Sequence, residues 1–171
     1  RVLFRSAKDL CTIGFLDKIV AAGVHILKIE GRGRAADYVD TSVRCYREAV
    51  DAVADGTYSR EKVAQWMPEL EKVFNRGVWD GYYLGRKMGE WNDSYGSKAT
   101  ETKSFVGKGV KYFKNIHVGE FALEAGSLSI GDTILISGPT TGVLRATISE
   151  LRVAETTVTE VKKGDIFSMP I

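Results

Sequence analysis

The sequence predicts an α+β fold, in which a helical first part is followed by a small antiparallel β-barrel. Apolar residues recur at helical spacing up to about residue 74, a polar stretch with a glycine runs over 94–100, and short segments separated by glycine turns follow from 105. The 171 residues are 44% hydrophobic and 27% charged. This composition is typical of a globular protein and excludes disordered, collagen-like and disulfide-scaffold classes.

The first elements are predicted as strand, helix and strand. Residues 2–4 form a short apolar run, and Ser6 with Asp9 three positions later is a variant of the capping box that starts helices. Apolar residues at helical spacing then predict a helix over about 7–22 that ends at Gly23. Residues 24–29 are rich in aliphatic side chains between two glycines, which predicts a strand.

Two further helices follow a glycine turn at 31–34. The first is expected to end at Gly56, and Ser59 is the expected N-cap of the second, which Pro68 is expected to bend or restart. The first of these helices is predicted from one stripe of apolar residues, which comprises Val39, Val43, Tyr46, Val50 and Val53.

The remainder of the chain predicts six short strands, at about 105–113, 116–124, 132–137, 143–153, 156–161 and 165–170. Six short strands without a helix between them are typical of a small closed barrel. We therefore divide the chain into residues 1–90, a linker at 91–103 and a β-barrel at 104–171, because the polar run within the linker breaks any periodicity.

The overall charge and composition do not indicate a particular class of binding partner. The formal net charge is +2, and no apolar run approaches the roughly 20 residues of a membrane span, so no membrane association is expected. The two cysteines lack CxxC spacing, which favours a reducing cytoplasm over a disulfide scaffold. The chain begins at Arg1 with neither an initiator Met nor a signal peptide, so we interpret it as a piece of a longer protein.

Three charged residues near the predicted second strand are candidate catalytic residues. Strand alternation places Lys28 and Glu30 on one face and His25 on the other. Charged residues at the carboxyl end of a parallel strand lie where α/β folds build active sites, and Arg32 in the next turn can join them. A structural ion pair at a strand end explains the same pattern equally well.

The glycine turn also has the form of a dinucleotide-binding motif, with Gly31, Gly33 and Ala36 at the fingerprint spacing. The match is weak, because an acidic residue about 20 positions later should end a second strand, whereas Asp51 falls within a predicted helix. Arg32 and Arg34 could nevertheless hold a phosphate without such a fold.

Neither cysteine is a metal ligand on spacing alone. Cys11 lies one turn into the predicted first helix, where the positive helix end lowers a thiol pKa and favours thiolate chemistry or metal ligation. Cys45 lies on the small-residue side of its helix. Two thiols cannot complete a zinc or iron–sulfur site, which needs about four ligands, so burial is the default expectation for both.

Lysines between 103 and 114 are interleaved with aromatic residues, and no acidic residue lies in this stretch. This pattern is typical of nucleic-acid-binding surfaces. An amphipathic strand with outward lysines gives the same pattern and is somewhat favoured, since lysine also protects edge strands. The candidate RNA-binding residues are Lys108, Lys111, Tyr112 and Lys114.

Several motifs in residues 3–90 resemble the collagenase-like peptidases, family 32 of the unknown-mechanism class (the U32 family). They include the run KDLC ending at Cys11, the run LKIEGR ending at Arg32, the block around Tyr46, and the glycine- and tyrosine-rich run at 81–85. More loosely, the Gly-Asp motifs at 131–132 and 164–165 resemble the second-domain barrel of translation elongation factors, which some members carry at the C-terminus.

The resemblance implies that residues 1–90 are the last strands and helices of a modified (βα)₈ barrel. Members are classed as proteases, and several are implicated in hydroxylating tRNA, rRNA or quinone rings with an iron–sulfur cluster. It implies Cys11, and with less weight Cys45, as cluster ligands in a full-length parent, and it places Glu30 and Arg32 at the barrel mouth. The cysteine-rich motif that usually precedes these segments is absent, so neither a cluster nor turnover is expected in this chain alone.

Three functions remain open from the sequence: part of a peptidase or RNA-modifying enzyme whose barrel docks a macromolecule, a non-catalytic module that binds RNA or a protein, and a nucleotide-binding segment around 31–36. A Ser-His-Asp or Cys-His mechanism within the chain is disfavoured, because His25 and His117 are its only histidines and neither has a recognised nucleophile context. Missing barrel strands would leave apolar faces open, so we expect either a homo-oligomer or a rearrangement of the first hundred residues.

Overall fold

The computed structural model describes residues 7–85, 91–92 and 96–171, and the chain divides into two compact units, Arg1–Thr102 and Lys103–Ile171. The regular elements of the first are mostly helices and those described in the second are all strands, which confirms the α+β class. No helix within the described ranges is long and apolar enough to cross a membrane. The predicted strand at 2–4 and the capping residue Ser6 lie outside the described residues.

The first unit combines a short parallel strand pair with helices. Strand β1 pairs with β2, and the helices are a 3₁₀ helix and α1 to α3; their bounds are β1 Asp9–Leu10, the 3₁₀ helix Ile13–Phe15, α1 Leu16–Ala21, α2 Ala36–Ala54, α3 Arg60–Lys72 and β2 Val78–Trp79. The predicted helix over 7–22 is therefore wrong in its first half. The backbone amides of Asp9 and Cys11 donate to carbonyls of the 77–79 segment, so this stretch is extended.

The helix ends follow the sequence signals. Gly23 and Gly56 end α1 and α2 with φ values of 86° and 67°, which residues other than glycine rarely adopt. The Ser59 side chain caps α3 by accepting a hydrogen bond from the Lys62 amide at 3.3 Å. The predicted interruption at Pro68 is wrong, because α3 continues through it.

The core of the first unit is built on the small-residue side of α2. Val39 and Val43 of the predicted apolar stripe are 37% and 48% exposed, while Tyr46 and Val50 further along it pack against the core. Small side chains allow helix axes to approach more closely, which favours this face of α2 for the contact. The buried core residues are Ile13, Leu16, Cys45, Ala49, Ala52, Trp66 and Leu70.

Residues 24–30 do not form the predicted strand. A strand requires a neighbour to complete its hydrogen bonds, and in the described ranges the first unit's strand pair is β1 with β2. All side chains of the 24–30 segment except that of Ile29 are exposed, and Ile26 is 86% exposed. The sequence pattern of a buried strand is present here without the partner that would bury it.

The second unit consists of nine described strands: β3 Gly107–Phe113, β4 Val118–Leu123, β5 Ser127–Ser129, β6 Thr133–Gly138, β7 Gly142–Thr147, β8 Leu151–Val153, β9 Thr156–Val158, β10 Glu160–Lys162 and β11 Ile166–Pro170. Every predicted segment contains a strand; two of them, 143–153 and 156–161, each contain two, and β5 was not predicted. A five-stranded sheet has the order β3-β4-β11-β8-β9, and β5 pairs with β10 and β6 with β7.

The five-stranded sheet has one face on a hydrophobic core. Along β11, Phe167 and Met169 are buried while Ile166 and Pro170 are exposed, as expected for side chains that alternate between two faces. The core residues are Leu123, Leu128, Ile148, Leu151, Val161, Phe167 and Met169.

Strand β3 approaches β4 so closely that one of its glycines has no room for a side chain. A Cβ at Gly107 would overlap the carbonyl oxygen of Ala122, whereas a Cβ at Gly109 would meet its nearest atom, on Phe121, at 3.9 Å. Both glycines lie in β3 and differ in the space available for a side chain, so substitution of each by alanine provides a variant and its matched control.

We expect the substitution Gly107→Ala to lower the free energy of unfolding of the second unit by about 1–3 kcal/mol, because the backbone must move to relieve the overlap. Gly109→Ala should change it by less than about 0.5 kcal/mol. Urea unfolding followed by circular dichroism measures both. Equal stabilities of the two variants would contradict the described pairing of β3 with β4.

Candidate functional site

Asp9 connects three segments of the first unit. Its Oδ1 accepts a hydrogen bond from the Arg34 guanidinium at 2.8 Å, and its Oδ2 accepts one from the Arg76 amide at 2.8 Å. The Asp9 amide donates to the Gly77 carbonyl at 2.8 Å. The Arg34 and Asp9 side chains are only 13% and 23% exposed. The carboxylate therefore fixes the glycine turn at 31–34 against the β1–β2 pair.

Arg34 is held by this contact and by two aromatic rings. Its guanidinium carbon lies 4.3 Å from the centre of the Phe74 ring and 5.2 Å from that of Tyr38. Arg34 is therefore a structural residue, and of the two arginines considered for a phosphate, Arg32 is the exposed one. The dinucleotide motif lacks its required context, because residues 24–30, which lead directly into the turn, do not form a strand.

Cys11 lines a cavity of about 310 Å³, two residues after Asp9. The Tyr46 hydroxyl of α2 donates to Cys11 Sγ at 3.8 Å and accepts from the Thr12 amide at 2.9 Å. The cavity lies at the lower end of the volumes of small-ligand pockets. Its other lining residues are Gly14, Phe15, Met67, Val78, Trp79 and Asp80.

Burial raises the pKa values of both cysteines and of Tyr46. It is the main reason that the pKa of Cys11 is raised above its ordinary value and that the pKa of Cys45 rises from 9.0 to about 11. Burial, followed by the charge of Cys11, raises the pKa of Tyr46 to about 12. Both thiols are thus neutral at physiological pH. A hydrogen bond from the Ile13 amide, at the start of the 3₁₀ helix, acts to lower the pKa of Cys11 as expected of a helix start, but burial outweighs it.

The described residues do not fit an iron–sulfur cluster by themselves. They contain no group of three or more Cys, His, Asp or Glu side chains that could hold a metal ion. Cys11 faces the cavity, whereas Cys45 is fully buried in the helical core. Two neutral thiols leave the donor set of a cluster incomplete, so the ligand roles predicted for them in a longer protein stay predictions.

The candidate catalytic residues lie together on an exposed segment. Lys28 Nζ lies 4.0 Å from Glu30 Oε2, and Glu30 Oε1 accepts a hydrogen bond from the Arg32 amide at 2.9 Å. The Lys28 and Glu30 side chains are 86% and 66% exposed. Lys28 and Glu30 therefore lie close together, as predicted, although the strand on which that prediction rested does not form. A catalytic role for Lys28, Glu30 and Arg32 stays a prediction.

The two lysines of β3 lie on the same face of the sheet but make different contacts. A β-bulge between Gly109 and Lys111 places Lys108 and Lys111 on the same sheet face despite their odd spacing. Lys108 Nζ lies 3.0 Å from Glu124 Oε1, and Lys111 Nζ lies 4.7 Å from the centre of the Phe113 ring.

Tyr112 and Lys114 differ in position from these two lysines. Strand alternation directs Tyr112 to the other face of the sheet, and its hydroxyl lies 3.1 Å from His117 Nδ1. Lys114 is exposed just after the end of β3. RNA binding by Lys108, Lys111, Tyr112 and Lys114 stays a prediction, because their geometry alone identifies no ligand.

Sequence reasoning missed the Asp9–Arg34 pair and the contact between Tyr46 and Cys11. Both join residues more than 20 positions apart, and no local periodicity signals such a contact. Because Tyr46 was assigned to the apolar stripe, its hydrogen bonds with Cys11 and Thr12 were not predicted.

Comparison with known proteins gives a family match and several relatives. A model of Peptidase family U32 matches residues 2–93. A Porphyromonas gingivalis protein named Collagenase is 51% identical over 97% of this chain and 46% of its own length. The Escherichia coli protein named tRNA hydroxylation protein P is 26% identical over 96% of this chain and 35% of its own length. The chain thus spans less than half the length of these relatives.

A solved structure is also similar to part of the chain. The C-terminal domain of a U32 peptidase from Geobacillus thermoleovorans aligns with a TM-score of 0.39 and 13% identity, over 40% of this chain and 85% of that domain.

We expect the Cys45 thiol to make the stability of the first unit depend on alkaline pH. Its pKa is raised from 9.0 to about 11, so its stabilising contribution is complete below pH 9 and is lost as the pH rises through 11. The difference in free energy of unfolding between the wild type and Cys45→Ala should therefore shrink by about 2 kcal/mol over this range. Urea unfolding at a series of pH values measures it, and a constant difference would contradict the burial of this thiol.

Proposed function

Because the chain belongs to Peptidase family U32, we propose that it is part of a longer enzyme that acts on a macromolecule, and that this enzyme hydroxylates RNA. The environment of Cys11 carries the proposal. The thiol is neutral, its hydrogen-bond partner is Tyr46, and both histidines of the chain are exposed elsewhere. A neutral thiol whose hydrogen-bond partner is a phenol is a poor nucleophile, which disfavours attack on peptide bonds by Cys11.

Relatives support the choice of RNA as the substrate class. Proteins named tRNA hydroxylation protein P match this chain in several bacteria, including Haemophilus influenzae and Escherichia coli. Hydroxylation needs a redox cofactor, because side chains of the kinds present here do not carry that chemistry. An iron–sulfur cluster is our candidate, with Cys11 as one ligand, the enclosed Cys45 as a weaker one, and the others from outside this chain. The chain alone is expected to be inactive.

We place the substrate at the segment that carries Lys28, Glu30 and Arg32. The ammonium and guanidinium groups are suited to phosphate oxygens of RNA, and the carboxylate is suited to orient a substrate group or accept a proton from it. The contact of Asp9 with Arg34 holds the end of this segment beside β1, which Cys11 directly follows in the sequence. This common anchor supports a single site that includes both.

The wider architecture follows from the same proposal. Residues 1–90 would complete a (βα)₈ barrel, in which segment 24–30 pairs with a strand supplied by the rest of the longer protein; pairing with a second copy is the alternative. Residues 104–171 would close into a barrel like the second domain of elongation factors and dock RNA through the lysines of β3. A cytoplasmic location is part of this proposal.

Peptide hydrolysis is the second candidate function. The observation that favours it is the 51% identity with the relative named Collagenase. In that case Glu30, rather than a cysteine, would act as the general base that activates water. A non-catalytic module that binds RNA or protein is distinguished from both by the absence of turnover in the longer protein.

We expect Glu30→Gln in the longer protein to lower its activity at least about a hundredfold, because the amide cannot accept a proton. Hydroxylated nucleosides in digested tRNA are measured by mass spectrometry, and gelatin cleavage is measured in parallel. Thermal stability should be unchanged, because the Glu30 side chain is 66% exposed.

The matched control is Glu61→Gln, which changes another exposed carboxylate, in the first turn of α3. This variant should retain full activity. Wild-type levels of tRNA hydroxylation in Glu30→Gln would refute the role of this residue, and gelatin cleavage without hydroxylation would favour the second candidate function.

A further inference from the structure

A groove of about 910 Å³ lies on the five-stranded sheet of the second unit. Its floor is β11, where Phe167 and Met169 point into the core, so Ile166, Ser168 and Pro170 point to the opposite face. We call this face, opposite the core, the outer face of the sheet.

The strand register extends the outer face to both neighbours of β11. Ser168 is paired with Glu120 on β4 and with Arg152 on β8, and Pro170 is paired with Val118. Paired residues in an antiparallel sheet project to the same side. The groove therefore crosses three strands, and Ile116 from the β3–β4 turn lines it as well.

The outer face is more apolar than a solvated sheet face normally is. An antiparallel sheet with one face on a core commonly presents polar side chains to water on the other. Here Ile116 is 67% exposed and Ile166 is 57% exposed, and both line the groove with Val118 and Pro170. A concentration of exposed apolar groups in a groove marks an interaction surface.

The charges around the groove are mostly negative. Four carboxylates line it, from Glu120, Glu150, Glu155 and Asp165, and Arg152 is the one cationic residue among its lining residues. Arg152 donates to Glu150 and is thereby partly neutralised. The lining carries a formal excess of three negative charges, which Lys111, paired with Glu120 in the β3–β4 register, reduces to two at the edge of the groove. The remaining excess favours Lys and Arg over phosphate groups.

We propose that this groove binds a polypeptide segment in which Lys or Arg side chains alternate with apolar ones. The apolar side chains would contact Ile166 and Val118 on the floor, and the cationic ones would reach Glu120 and Glu155. Glu155 lies in the tight turn between β8 and β9 with φ of 68°, which fixes its position at one end of the groove. The inference goes beyond the proposed function, because it gives the second unit a protein partner in addition to the RNA proposed for the lysines of β3.

The experiment measures fluorescence anisotropy of three labelled probes with the full chain. They are a peptide of about ten residues that alternates Lys and Val, the same peptide with Glu for Lys, and a single-stranded uridine oligonucleotide of similar length. We expect binding of the Lys-Val peptide alone. Glu120→Gln combined with Glu155→Gln should weaken its affinity about fivefold, and Ile166→Ser should weaken it with the charges intact.

The control is Glu160→Gln, which removes an equally exposed carboxylate on β10 outside the groove and should leave the affinity unchanged. Circular dichroism verifies that each variant is folded. Equal affinity of the double variant and the wild type would overturn the proposal, as would failure of the Lys-Val peptide to bind. Competition by the uridine strand would assign the groove to RNA, and a dimer that the double variant abolishes would assign it to a second copy; either outcome also overturns it.

Discussion

The described arrangement of the first unit depends on the carboxylate of Asp9. One oxygen binds the guanidinium of Arg34 and the other binds the amide of Arg76, while the backbone on either side pairs with β2. A partly buried carboxylate is stable only when its hydrogen bonds are satisfied. Because Asp9 satisfies them with two segments distant in sequence, it determines where the glycine turn and Cys11 lie relative to each other.

The packing of α2 explains which groups surround the Cys11 thiol. The helix turns its small residues towards α3 and the 3₁₀ helix, which brings Tyr46 over the chain at 11–12. Burial raises the pKa of the Cys11 thiol, and the hydrogen bond from the Tyr46 phenol opposes this rise without cancelling it. The same packing buries Cys45 completely. The two cysteines therefore differ in access, because Cys11 lines the cavity and Cys45 is enclosed by the helical core.

The sequence predicted the fold class, the glycine ends of α1 and α2, the Ser59 cap and the positions of the later strands, because each has a local signal in turn residues or alternation. It did not predict which face of α2 is buried or the conformation of segment 24–30, since both depend on contacts with segments distant in sequence. The pairing of Lys28 with Glu30 followed from their spacing alone. The cavity beside Cys11 did not, because its walls come from four separate elements or turns.

The most direct test of this account is hydrogen exchange measured by mass spectrometry on the wild type and Asp9→Asn. The amides of Asp9, Cys11 and Arg34 donate to the carbonyls of Gly77, Trp79 and Gly31. If Asp9 joins these segments, Asp9→Asn should speed exchange at all three amides together, while amides of the second unit stay unchanged. Faster exchange confined to Asp9 itself would contradict the account and leave the glycine turn without its proposed anchor.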